Sequence, residues 1–307
     1  MPEPRPHAFH ARPAYAVLAA VAWALFLGGS PVQAQPAPSY AGKVVLVTGS
    51  TGGLGQELAL RLGSMGAHVI VHGRDVERGA EVVRQIEAEG VGMARFYRAD
   101  LASFDEVRGL AAEVLRDYDR LDLLINNAGI GSTPRERVLT GDGHELRFQV
   151  NYLSGYLLTR LLLPRIVASA PARIVNVSSA AQQPIDFDDV MIEKGFSGGR
   201  AYAQSKLAQI LFTFDLAAEL EGHGVLVNAL HPATYMDTGM VRRAGVDPRA
   251  TVDEGADAVM QLVTSPDVGT GGYFNGLRAA RAHEQAYDEQ ARARLRRLSA
   301  ALTGGER

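Results

Sequence analysis

The sequence predicts an α/β domain built on a doubly wound parallel sheet of about seven strands, with helices on both faces. Three observations lead there. From Lys43 onward, short apolar runs alternate with longer segments of helical spacing. The apolar runs are hydrophobic almost throughout rather than at every second residue, the mark of strands covered on both sides. A glycine-rich turn, Thr48 to Gly55, separates the first run from the first helical segment.

Taken in order, Val44 to Val47 is a short β-branched run, and Leu54, Leu58 and Leu62 recur at helical spacing between Leu54 and Met65. The alternation continues with strand His68 to His72 and helix Val76 to Glu89, then strand Ala94 to Tyr97 and helix Phe104 to Tyr118. Next come strand Leu121 to Ile125 and helix Gly143 to Ser169, and a further round runs from strand Arg173 to Val177 through helix Tyr202 to Glu221 to strand Val225 to Leu230. Strands joined by helices of this length imply right-handed crossovers and parallel pairing. Neither a fixed-period repeat nor a second domain is visible. Two segments break the rhythm, Gln182 to Arg200 and the tail from Arg278 onward.

The 307 residues are 47% hydrophobic and 21% charged, enough apolar material for one large core. A formal charge of -3 argues against nucleic acid as a partner, because phosphate backbones need a concentrated basic surface. Arg292, Arg294, Arg296 and Arg297 alternate with Ala and Leu, as on the solvated face of a terminal helix. The lack of cysteine excludes disulfides, thiolate catalysis and cysteine-ligated zinc. The close pair His68 and His72 has no obvious third ligand, so no metal is expected.

The N-terminus is read separately. An apolar run, Ala14 to Leu27, follows Arg5 and Arg12 and precedes Val32-Gln33-Ala34, which resembles a small-residue cleavage site. Residues 1–34 therefore read as a signal peptide or N-terminal anchor, the run being short of the roughly 20 residues of a spanning helix. The charge asymmetry would leave the rest secreted, periplasmic or membrane-anchored. The alternative is a mis-assigned start upstream of a cytoplasmic enzyme beginning near Ser39. Residues 35–41, rich in Pro and Ala, read as a linker into a domain spanning 42–303.

Glycines at a strand-to-helix turn let the backbone approach a pyrophosphate and aim the helix N-terminus at its charge. On this reading Gly49, Ser50, Thr51, Gly53, Leu54 and Gly55 form the dinucleotide turn of a single Rossmann domain. An NAD enzyme usually has an acid after the second strand to accept from the ribose hydroxyls. Here Gly73 stands at that place and Arg74 follows, able to pair with a 2′-phosphate, so NADP(H) is preferred over NAD(H); Asp75 is the alternative acid. Asp100 and Leu101 either hold the adenine or begin a helix. Tyr202 and Lys206 stand four apart, on one face if helical. An ammonium near a phenol lowers its pKa from about 10 and makes it a usable general acid or base.

Thr48-Gly49-x-x-x-Gly53-x-Gly55, Asn126-Asn127-Ala128-Gly129, Asn151, Ser178-Ser179 and Tyr202-x-x-x-Lys206 occur in the order and spacing of the short-chain dehydrogenases/reductases, which this sequence resembles from about Gly42 onward. Ile185 to Asp189, Ala201 to Phe212 and Gly272-Tyr273-Phe274 resemble the retinol-dehydrogenase-like, wide-substrate branch. The resemblance implies that Tyr202 exchanges a proton with the substrate oxygen and that Ser179, rather than Ser178, hydrogen-bonds that oxygen. Lys206 would tune Tyr202 and hold the nicotinamide ribose, and Asn151 would anchor a proton-relaying water. Asn127, Ala128, Gly129, Pro232 and Thr234 would join the cofactor site. Where the family often has Pro-Gly, this chain has His231-Pro232-Ala233-Thr234; His231 reads as structural, since Tyr202 fills the acid's role.

The expected reaction is direct hydride transfer between nicotinamide and a small lipophilic alcohol, aldehyde or ketone. Ile185, Phe187, Val190, Met191 and Phe196 would line an apolar entrance, or form an exposed amphipathic flap. The rivals are a catalytically idle NADP-binding regulator, which has no use for a Ser, Tyr and Lys set, and a nucleotide-sugar epimerase or dehydratase, which carries a larger C-terminal lobe. Apolar crowding on Tyr152 to Leu163 and Tyr202 to Glu221 permits a homodimer.

Overall fold

In a computed structural model that describes residues 1–2 and 39–304, the apolar runs become one eight-stranded sheet. Its strands are β1 (Val44–Val47), β2 (His68–Gly73), β3 (Met93–Arg98), β4 (Leu123–Asn126), β5 (Ala172–Val177), β6 (Val225–His231), β7 (Tyr273–Asn275) and β8 (Arg278–Ala279). The spatial order is β3-β2-β1-β4-β5-β6-β7-β8, parallel except for the β7–β8 pair. β1 pairs with β2 on one side and β4 on the other, so the chain reverses its direction of winding there and opens a crevice at the strands' carboxyl ends. About seven strands are expected and six of them located; β7, of three residues, and β8, of two, are too short to show a period. The edge strand β3 departs from the all-apolar rule: its Arg95 and Arg98 put charge on an otherwise pairable edge.

Helices α1 (Gly53–Ser64), α2 (Val76–Ala88) and α7 (Val252–Thr264) cover one face through Leu58, Leu62, Val82, Ile86, Val259 and Leu262. On the other face lie α3 (Phe104–Asp117), α4 (Ser154–Ala168), α5 (Gly198–Glu219) and α8 (Glu289–Leu302). A five-residue helix, α6 (Gly239–Arg243), stands between β6 and α7 and buries nothing. Side-chain caps set several starts: Asp75 accepts from Arg78 N–H, Ser103 from Glu106 N–H and Ser197 from Arg200 N–H. The Ser197 cap explains why α5 begins four residues before Tyr202. Helix α7, absent from the sequence reading, has a capping box in which Thr251 and Glu254 bond each other's backbone.

The helix expected from Gly143 starts later. Gly143 adopts φ 82°, a turn conformation, and Glu145 bridges Leu139, so helical backbone begins only after it. It then runs through a π-helical turn, Phe148–Leu153, before α4. Tyr40 and Ala41 are a second correction: Tyr40 donates through its N–H to Met65 O and through its hydroxyl to Val263 O, so the end of the expected linker is part of the fold. Residues 35–38, and the signal or anchor apart from Met1 and Pro2, lie outside the described residues. Among those described, no helix is long and apolar enough to cross a membrane. Helix α8 packs on α5 with Ala291, Leu295 and Ser299 buried, and Tyr152 and Ser299 share a hydrogen bond of 2.6 Å. It thereby covers part of the face expected for a homodimer. Arg294 and Arg296 are exposed and pair with Asp188 and Asp215 of neighbouring segments, whereas Arg292, expected on the solvated face, is largely covered and donates to Ala286 O.

Below the π-helical turn sits a fully buried ion pair. Arg147 donates to Glu145 Oε1 at 2.9 Å, both side chains being essentially inaccessible. The same guanidinium donates to the carbonyls of Gly131, Ser132 and Pro134 and lies over the Phe196 ring. Such a charge is tolerated only while its partner and hydrogen bonds remain. Glu145→Gln should therefore destabilise the domain by about 3 to 5 kcal/mol, and adding Arg147→Met should recover part of that loss. Urea midpoints at unchanged m-value measure both; a Glu145→Gln midpoint equal to that of the parent would contradict the assignment.

Candidate active site

The β1–α1 turn is shaped by close approach. Gly49 has φ 65°, and a Cβ there would lie 2.9 Å from Ala128 Cα. At Gly55 a Cβ would come within 2.2 Å of Gly49 O and 2.6 Å of Asn127 Nδ2. The cap residue of α1 is Gly52, with no side-chain cap bond and no acid in the first turn. The N–H groups of Gly53, Leu54 and Gly55 thus lack intrahelical partners at the positive end of the helix, a cradle that fits a diphosphate.

Not every residue expected in that cradle belongs to it. Ser50 donates its N–H to His72 O, its hydroxyl donates to Val47 O, and that hydroxyl accepts from His72 N–H. The Gly49 N–H is likewise taken, by His72 Nδ1 at 3.1 Å. Burial pushes the His72 imidazole down to about 4, so it stays neutral and keeps the accepting lone pair. Ser50 and the Gly49 amide therefore tie the turn to β2 and leave no donor for a ligand. His68 bonds the Tyr118 hydroxyl instead. Thr48, not singled out from sequence as a site residue, joins the β1–α1 turn to the one after β4: its hydroxyl accepts from the N–H groups of Asn127 and Ala128. Asn127 reciprocates by donating Nδ2 to Thr48 O and Gly49 O.

At the end of β2 a Cβ on Gly73 would lie 2.5 Å from Thr51 Cγ2, so Thr51 fills the space an acidic side chain would need. The exposed Arg74 pairs with Asp100 at 3.4 Å, and Asp100 also accepts from Ala102 N–H. The carboxylate thus both caps its own turn and orients the guanidinium. Leu101 is buried and offers its carbonyl to Ser154.

The chemical groups gather on the opposite bank. Gly129 is the point of convergence: a Cβ there would stand 3.3 Å from Asn151 Oδ1 and 3.5 Å from Lys206 Nζ. Asn151 lies in the π-helical turn, a distortion often found at functional sites. It accepts from Ile130 N–H and donates to Ile130 O and Ser205 Oγ. Both its donors are occupied, so one lone pair on Oδ1 is what its side chain retains. Lys206 Nζ donates to Val177 O and Gln209 Oε1 and lies 5.8 Å from the centre of the Tyr202 ring. The two serines differ: Ser178 donates its hydroxyl to Lys206 O, while the Ser179 hydroxyl accepts from Ala181 N–H and stands close enough to the Tyr202 phenol to pull its pKa down. The Ser179 carbonyl is fixed by Tyr273 OH and Gln182 Nε2, two positioning contacts absent from the sequence reading.

The electrostatics correct one expectation. The Tyr202 phenol is raised by burial, with the nearby Ser179 hydroxyl pulling the other way, rather than lowered by Lys206. Burial also pushes Lys206 down to about 7, which weakens the ammonium that was to do the lowering. Spacing alone does not report desolvation. His231 bonds Thr234 Oγ1 at 3.0 Å and is lowered by burial and by Lys206, consistent with a neutral structural ring. Pro232 is buried beside it and Thr234 is exposed.

The 182–200 insertion is not an exposed flap. Ile185 is a core residue, and Phe187, Val190 and Met191 pack against that core. Gln285 clamps Ile185 at both its N–H and its carbonyl, and Phe196 lies against Arg147. Their apolar character serves docking of the segment.

A model of the short chain dehydrogenase family matches residues 43–248. Human retinol dehydrogenase 13 is similar, 37% identical over 286 residues that cover 86% of this chain and 86% of that protein. An uncharacterised protein from Mycobacterium paratuberculosis superposes with a TM-score of 0.73 and 31% identity over 88% of this chain and 96% of its own. The Pseudomonas aeruginosa RhlG/NADP active-site complex superposes with a TM-score of 0.64 and 30% identity over 77% of this chain and 95% of its own.

Because the folded amine titrates below its ordinary value, the unfolded chain binds more protons than the native one between about pH 7 and 10.5. The burden of burying Lys206 is complete below that window and fades as pH rises through it. Lys206→Met should gain most over the parent near about pH 6, and the gap should shrink by about pH 10. Denaturant titrations of both proteins across that range give the comparison; a gap independent of pH would contradict the burial-driven shift.

Proposed function

This chain belongs to the short-chain dehydrogenase/reductase family, and on that premise we propose that it is an NADP(H)-dependent oxidoreductase acting on small lipophilic alcohols, aldehydes or ketones, with Tyr202 handling the proton. The observation that carries the reading is the meeting of Ser179, Tyr202 and Lys206 with Gly129 and the glycine turn at the carboxyl edge of one sheet. NADP(H), when bound, supplies or accepts the hydride. The amides of Gly53, Leu54 and Gly55 hold its diphosphate, and Arg74, oriented by Asp100, holds the 2′-phosphate.

Tyr202 gives its proton to the substrate oxygen in reduction and takes it back in oxidation. Its raised pKa keeps the phenol protonated at neutral pH, the form needed for reduction. Ser179 donates its hydroxyl to the same oxygen, at a place set by Tyr273 and Gln182. Lys206 orients the nicotinamide ribose, and Asn151, through its remaining lone pair, receives the relaying water. Human retinol dehydrogenase 13 bears the name of a lipophilic alcohol's dehydrogenase, which supports the substrate class.

An idle NADP-binding regulator would have no use for a Ser179 hydroxyl placed beside the Tyr202 phenol. A nucleotide-sugar enzyme would need a substrate lobe after β6; among the described residues that region holds only α6, α7, β7, β8, a short 3-10 turn and α8. Any homodimer would use the part of α4 and α5 that α8 leaves uncovered, and for residues 1–34 a signal peptide or anchor remains our reading. Tyr202→Phe should lower NADPH-dependent reduction of a simple aldehyde or ketone by about 10²- to 10⁴-fold. NADPH affinity, followed by fluorescence, should stay within a few-fold. Full turnover by the variant would refute the assignment.

A further inference from the structure

The stretch from Pro232 to Thr251 doubles back over the crevice. It is closed at its base by the Met236–Ala250 bridge and by Asp237 N–H donating to Ala250 O. From that base Thr238 reaches to 3.3 Å from the place of a Cβ on Gly53, and Met240 to 3.0 Å from one on Gly131. One turn further along α6, Arg243 faces a cavity of about 220 Å³ whose other walls are Arg74, Ile130, Gly131, Thr133 and Met240. Two arginines thus line one space, Arg74 from the end of β2 and Arg243 from the roof.

Their electrostatic surroundings differ. Arg242 is paired with Asp237 through two bonds, whereas Arg243 has no carboxylate partner among the described residues. Arg74 shares its charge with Asp100. Two like charges converging on one cavity oppose each other unless an anion lies between them. A phosphate monoester carries between one and two negative charges at neutral pH, more than a half-neutralised Arg74 balances by itself. The roof's Gly53 contact lies at the diphosphate cradle, while Arg243 lies on the Arg74 side, where the adenosine ribose is expected.

Resting on the NADP(H) reading above, we propose that Arg243 is a second contact for the 2′-phosphate of NADP(H), placed opposite Arg74, so that α6 helps to select the phosphorylated coenzyme. Dissociation constants for NADPH and NADH, read by nicotinamide fluorescence, test it in the parent, Arg243→Gln, Arg74→Gln and Arg242→Gln. Arg243→Gln should weaken NADPH binding about tenfold and leave NADH within about twofold, with Arg242→Gln unchanged for both. Equal weakening for both coenzymes would overturn the proposal, since it would place Arg243 on a feature they share. No change for either would overturn it too. A parent that binds NADH as tightly as NADPH would defeat the NADP(H) reading itself, a result distinct from a preference that survives in Arg243→Gln. Arg243 is exposed, so its variant should fold, and circular dichroism checks that.

Discussion

The crevice depends on the reciprocal bonding of Thr48 and Asn127 across the point where the sheet reverses its winding. β1 and β4 are adjacent strands, yet their exits lead to helices on opposite faces, and nothing in strand pairing fixes how far apart the two loops then lie. The Thr48 hydroxyl, accepting two backbone N–H groups, and the Asn127 amide, donating to two carbonyls, fix that distance. Gly49 permits it, because any side chain there would meet Ala128. The diphosphate cradle, the Gly129 approach to Lys206 and the position of Asn151 all follow from this one closure.

Much of the architecture was legible from periodicity, for a physical reason. Strands such as β1 and β4 are buried on both faces, and their apolar character is forced by that burial. Errors fell where local chemistry overrides pattern. Gly143 takes a turn conformation inside an otherwise helix-like stretch, Ser197 starts α5 early, and Tyr40 docks from within a proline-rich segment. Helix α7 was readable in principle from its Thr251 and Glu254 box followed by apolar residues at helical spacing, but β8 rests on two residues and carries no periodic signal.

For the site, residue types and spacing identified the groups that converge, and three-dimensional bonding decided what each is free to do. Ser178 and Ser179 are indistinguishable as neighbours in sequence; the hydroxyl of one is spent on Lys206 O and that of the other lies beside the phenol. Ser50 looks like a ligand residue within a glycine turn, yet it faces β2 because His72, a strand residue, presents both N–H and carbonyl to it. The sign of the tyrosine shift was likewise hidden, since a spacing of four states proximity to Lys206 and says nothing of how completely water is removed from both.

The bond between Tyr152 and Ser299 has a consequence for how this chain tolerates change at its far end. Tyr152 is the immediate neighbour of Asn151 inside the π-helical turn, so the final helix braces the backbone from which the asparagine projects. Arg108 of α3 holds the carbonyl of Thr303 as well, anchoring the same helix at its last turn. Helix α8 is therefore a structural rib of the candidate site, and a ribosome that stopped before it would release a chain in which Asn151 had lost its backing.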